Sequence, residues 1–115
     1  MYLEPFSSGY YLGTCTVTEH GGDGVLMASD EYEEVEAQVY ERYSAFGLPI
    51  VVKMGRSHYV VRPESAVPAD TLAISADIRE KAAARTHEYR EVLVANESSA
   101  KMLVDWDGFL DRRLA

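Results

Sequence analysis

Apolar and polar positions are most sharply ordered between residues 49 and 62. Ile50-Val51-Val52-Lys53-Met54 and Ser57-His58-Tyr59-Val60-Val61 flank Gly55-Arg56. A two-residue loop with glycine first predicts a hairpin closed by a type II′ turn. That turn sets the register, with Met54 opposite Ser57, Lys53 opposite His58, Val52 opposite Tyr59, Val51 opposite Val60 and Ile50 opposite Val61. One face then collects Ile50, Val52, Met54, Tyr59 and Val61 and reads as core. The other carries Lys53, His58 and Arg62, with Val51 and Val60 between them.

The same reading extends to both sides. Residues 10–18 are rich in Tyr, Thr and Val and predict a strand. Alternation puts Tyr11, Cys15 and Val17 on one face of it. His20-Gly21-Gly22-Asp23-Gly24 reads as a turn, and residues 25–28 as a short returning strand, giving an N-terminal hairpin. Asp30 with Glu33 has the spacing of a capping box. Tyr32, Val35, Val39, Tyr43 and Phe46 follow at helical spacing, and Gly47 and Pro49 end the helix.

Pro63 and Pro68 bracket a loop, and Thr71–Ile74 could add a short strand. Ser75 opens a predicted helix over 76–95 that carries Ile78, Ala82, Tyr89 and Leu93, broken near Thr86-His87. Asn96 or Ser98 starts a last helix whose apolar face holds Met102, Leu103, Trp106, Phe109 and Leu110, with Gly108 weakening its middle. The expected order is β-β-α-β-β-(β)-α-α. This is an α+β fold: two antiparallel β-hairpins forming one small sheet packed with helices. Residues 1–115 read as a single domain, with 96–115 a C-terminal helix packed on it or used in self-association.

Charge changes the picture. The chain has 115 residues with 19 Asp and Glu, but only three Lys (Lys53, Lys81 and Lys101) and a net charge of −8. In dilute salt that charge repels itself; in molar salt the screening length falls to about 3 Å and the repulsion fades. Carboxylates then keep the surface hydrated. The pattern predicts a halophilic, cytoplasmic protein. Binding to nucleic acid by counterion release weakens steeply in such salt, so nucleic acid is not the expected partner. The single Cys15 cannot form an internal bridge. Met1-Tyr2-Leu3-Glu4-Pro5 shows no signal-peptide pattern, and no apolar run approaches a membrane span.

Phe6-Ser7-Ser8-Gly9-Tyr10-Tyr11-Leu12-Gly13, Pro49-Ile50-Val51-Val52-Lys53-Met54 and Pro68-Ala69-Asp70-Thr71-Leu72-Ala73 resemble, in the same order, segments of a family of small uncharacterised haloarchaeal proteins. The resemblance runs from about residue 6 to 106. It implies a haloarchaeal source and supplies no activity or catalytic residue.

Motifs for chemistry are sparse. Cys15, His20, His58 and His87 share no metal-ligand spacing. Cys15 sits in mid-strand, where cysteine acts as a small hydrophobe. No G-x-S-x-G elbow occurs, and Gly21-Gly22-Asp23-Gly24 lacks the Lys and Ser/Thr of a phosphate loop. No catalytic residue, metal or cofactor is expected, and the chain does not read as an enzyme.

The distribution of charge is more telling. Residues 1–48 hold nine acids and one base, residues 63–115 ten acids and seven bases, and residues 49–62 hold Lys53, Arg56 and Arg62 with no acid. Val51, Lys53, Arg56, His58, Val60 and Arg62, with Tyr10 and Tyr11 nearby, form the expected interaction surface, provided no helix covers it. The expected role is a non-catalytic protein-interaction or regulatory module whose partner is another protein or a second copy of itself. The alternatives are a nucleic-acid-binding domain using the 49–62 hairpin, and a small ligand-binding domain or enzyme with an unidentified substrate.

Overall fold

The computed structural model describes residues 1–40 and 47–106, the side chains of residues 105 and 106 excepted. Among the described residues seven strands and three helices follow in the order β1 (Leu3–Pro5), β2 (Tyr10–Glu19), β3 (Val25–Met27), α1 (Ser29–Val39), β4 (Ile50–Met54), β5 (Ser57–Pro63), β6 (Thr71–Ile74), α2 (Ala76–Lys81), β7 (Glu88–Ala95) and α3 (Glu97–Trp106).

These strands do not make a small sheet of two hairpins. Their order is β1-β2-β6-β3-β5-β4-β7, and β7 pairs back onto β2, so six strands close into a barrel with β1 attached outside the ring. Closure leaves no edge in the ring, which is one way a mostly β chain avoids edge pairing. The α+β expectation is therefore replaced by a mostly β architecture with three short helices.

Two specific differences produce the barrel. The predicted N-terminal hairpin is absent, because β6 lies between its arms. Thr16–Glu19 run parallel to Thr71–Ile74, and Val25–Met27 run antiparallel to the other edge of β6. The glycine turn spans that gap: Ser75 N donates to Gly24 O at 3.1 Å and His20 N to Ile74 O at 2.9 Å. Gly24 has φ +78°, a conformation that suits glycine. Sandwiched this way, all four residues of β6 are buried.

The second difference is β7. The helix expected over 76–95 stops at Lys81, and Ala83 and His87 take positive φ of 53° and 65°. Beyond that break the chain is extended, and Glu88–Ala95 pairs antiparallel with Tyr10–Val17 along eight residue pairs.

The central hairpin forms with the expected register, from Ile50 opposite Val61 to Met54 opposite Ser57. Gly55 at its turn has φ +62°. The barrel interior is filled by Cys15 and Val17 from β2, Val25 and Met27 from β3, Ile50 and Val52 from β4, Val61 from β5, Leu72 and Ile74 from β6 and Val94 from β7, each with an exposure of 1% or less. Burial pushes the Cys15 thiol up to about 12, so it stays neutral and acts as a core residue.

Hydrogen bonds and contacts tie the helices to the two ends of the barrel. At the start of β4, Tyr32 Oη of α1 accepts from Ile50 N at 3.1 Å, and Tyr40 Oη donates to Pro49 O at 2.5 Å. Burial raises the pKa of both phenols, keeping them neutral. At the other end, Ala82 just after α2 lies under the hairpin turn, its Cα 3.7 Å from where a Cβ on Gly55 would sit. Its carbonyl accepts from Arg90 Nη1 at 2.9 Å.

Helix starts also differ from the sequence pattern. The capping box of Asp30 and Glu33 does not form, since α1 begins at Ser29 after Ala28 with no side-chain cap. Asn96 caps α3, its Oδ1 accepting from Ser99 N at 3.0 Å. The expected contributions of Tyr43, Phe46, Phe109 and Leu110 lie outside the described residues.

Candidate functional site

Register sorts the side chains of the barrel wall into rows on its outer surface. Glu4 pairs with Leu12, Leu12 with Leu93, Leu93 with Lys53, and Lys53 with His58. The neighbouring row runs Tyr10, Ala95, Val51, Val60: Tyr10 pairs with Ala95 and Val51 with Val60, and the β4–β7 register carries Ala95 to Val51.

The expected surface is split by this arrangement. Val51 is 0% exposed and Val60 6%, so the apolar middle of the hairpin's outer face is covered. Tyr11 alternates to the inward side with Val94 and packs against the core. Arg56 is exposed at the turn. Arg62 reaches back to the glycine loop, its Nη2 donating to Asp23 O at 2.7 Å. Lys53, His58 and Tyr10 remain together and half-buried.

Tyr10 and His58 are in direct contact. The hydroxyl lies 2.7 Å from Nε2, and the rings stack at 6.0 Å between centroids and 24° between planes. Burial, with the Lys53 charge as a second cause, lowers the pKa of His58. A neutral imidazole fits the contact, with the Tyr10 hydroxyl donating to Nε2 and the ring proton on Nδ1.

Beside this pair lies a groove of about 350 Å³, lined by Phe6, Leu12, Lys53, Glu91 and Leu93 among others. It opens where the β4–β7 ladder is shortest: only Val52–Val94 and Lys53–Leu93 pair there. Phe6, just past the end of β1, lines the groove itself, and strand alternation carries Tyr89 to the outer side with Leu93. Tyr2 is 80% exposed, Phe6 59% and Tyr89 70%. Thr14 Oγ1 and Tyr89 Oη are 2.9 Å apart on the same surface.

The residue-to-residue signal for this face was present but incomplete in the sequence. Lys53, His58 and Tyr10 stood in it. Leu12, Leu93, Glu4 and Glu91 did not, because β7 read as helix and the residues around β1 carry no pattern long enough to read.

A family model matches residues 1–110, and its description is a family of unknown function, DUF5802. The chain belongs to that family. Comparison with curated proteins gives no match. Family membership agrees with the resemblance to uncharacterised proteins and leaves the role to be argued from this face.

A second cavity, of about 390 Å³, lies at the start of α1 and is lined by Met1, Asp30, Glu31, Glu34 and Asp70 among others. Glu31 is buried there, accepting from the Met1 amino group at 2.5 Å and from Asp70 N at 3.0 Å. Asp70 Oδ1 is 2.8 Å from the same amino group. Glu31 and Asp70 are thus engaged in tying the first residue to α1 and to the turn before β6. Among the described residues no cluster of His, Cys, Asp and Glu could hold a metal ion. No helix among them is long and apolar enough to cross a membrane.

Proposed function

We propose that this protein is a non-catalytic interaction module working in a high-salt cytosol, and that its working surface is the outer face of β1, β2, β7 and β4. The observation that carries the reading is a coincidence of position. Among the described residues four large apolar side chains are exposed, and two of them share this face: Phe6 lines the groove with Leu12 and Leu93, and Tyr89 alternates to the same side of β7 as Leu93. A pair of exposed aromatics beside a groove is what a protein-binding surface offers.

High salt is supported by 19 acids against three Lys, the balance that keeps a protein hydrated when charge is screened. A haloarchaeal source accords with it. In that medium affinity rests on apolar burial, and the net charge of −8 disfavours nucleic acid.

The test compares wild type with a Phe6→Ser/Leu93→Ser variant in molar KCl, by sedimentation and by affinity capture. Self-association or a captured partner that wild type shows and the folded variant loses supports the surface. Identical behaviour of the two proteins overturns it.

A further inference from the structure

We infer that the partner of this face is a second copy of the chain, docked about a twofold axis that runs along the strands between Leu12 and Leu93. The inference rests on the proposed working surface and names what covers it.

The argument comes from the row Glu4, Leu12, Leu93, Lys53. It has an acid at one end, a base at the other and two leucines between. Neighbouring strands are about 4.8 Å apart, so Glu4 and Lys53 sit about 14 Å from each other, too far to pair within one chain. Neither takes part in any ion pair among the described residues. Lys53 is half-buried and makes no ion pair with Glu91, the acid that lines the groove with it.

A row of this kind is complementary to its own reverse. A twofold axis lying in the interface and passing between the leucines turns one copy's row end for end against the other's. Glu4 of each copy then meets Lys53 of the other, and Leu12 meets Leu93. An isologous contact of this sort closes as a dimer and leaves no free surface to propagate. In the next row Val51 and Ala95 are already covered within each copy, so the contact stops short of them and exposed Phe6 lies at its rim. On the far side, Thr14 of each copy faces Glu91 of the other, so that acid is not set against a like charge.

Hydrophobic contact between the leucines and aromatics supplies the affinity in molar salt. The Glu4–Lys53 contacts set the register, which is the usual contribution of charge at an interface.

The experiment is a charge exchange read by sedimentation in 1 M KCl and above. Wild type sediments as a dimer in concentration-dependent fashion. Lys53→Glu alone and Glu4→Lys alone each place two like-charged contacts in the dimer and weaken it about tenfold. The combined Glu4→Lys/Lys53→Glu chain regains wild-type dimerisation, because each new lysine again faces a new glutamate. Circular dichroism confirms that all four proteins are folded. A double variant no better than the single ones overturns the twofold register. A wild-type monomer that captures a different protein through Phe6 and Leu93 overturns the second copy and leaves the working surface standing. A monomer with no partner at all ends both.

Discussion

The Tyr10 hydroxyl lies 2.7 Å from His58 Nε2 although β7 and β4 stand between their strands along that side of the barrel. The contact belongs to the outer face where Val51 and Ala95 are fully buried. It joins the first residue of β2 to the hairpin that supplies Lys53.

This contact has a pH dependence with a definite sign. The pKa of His58 is lowered in the fold, so the unfolded chain takes up a proton first as pH falls. Stability is full above the unfolded value near 6.5 and declines as pH drops from there toward the lower folded value. Thermal unfolding between pH 7.5 and 5.5 should show a slope in wild type that His58→Gln reduces. Equal slopes in the two proteins contradict the neutral imidazole. Tyr10→Phe removes the hydrogen bond and should cost about 1 kcal/mol at pH 7.5.

The carboxylate of Glu31 is 5% exposed and holds both the Met1 amino group and Asp70 N. Glu31→Gln should destabilise by about 3 kcal/mol, since it breaks a buried pair and leaves the ammonium with only the exposed Asp70. Asp70→Asn should cost less than 1 kcal/mol, as an exposed partner does. Urea titration of the two variants checks the order.

The same pairing gives an alkaline limb. Burial by itself lowers the pKa of the Met1 amino group, but the hydrogen bonds it donates to Asp70 and Glu31, and their charges, outweigh it, and the pKa is raised from 8.0. The stabilisation is present below pH 8 and is lost as pH rises through the folded value. Melting temperature measured from pH 7 to 10 should fall more in wild type than in Glu31→Gln.

Gly55 and Gly21 separate backbone need from composition. Gly55→Ala places a side chain at φ +62° and should cost about 1–2 kcal/mol. Gly21 has open space around it and no positive φ, so Gly21→Ala should change stability by less than about 0.5 kcal/mol. Chemical denaturation of both variants tests the turn type directly.

What the sequence showed, and what it hid, follows from how far each pattern reaches. The 50–61 hairpin was legible to the residue because Gly55-Arg56 specifies a turn and the turn specifies a register. The inward face of β2 was legible because Cys15 and Val17 alternate with polar threonines. The barrel was not, because closure depends on pairings between distant segments. Nothing local says that Thr71–Ile74 inserts between β2 and β3. Strand β7 was hidden by its own ends: Glu88, Arg90 and Glu91 look like a helix surface, while the strand signal is confined to Val92-Leu93-Val94. The buried Glu31 was hidden for a similar reason, since an acid in the first turn of a helix ordinarily faces solvent. The candidate face suffered most, because half of it is carried by β1 and β7.

Hydroxyl-radical footprinting in molar KCl, at concentrations below and above association, tests the central claim that the outer face of β1, β2, β7 and β4 is the working surface. Phe6, Leu12 and Leu93 should become protected on association, while Met102, 61% exposed on α3, stays as reactive as in the dilute protein. Protection of Met102 with Phe6 and Leu93 unchanged would move the interface to the C-terminal helix and contradict the account.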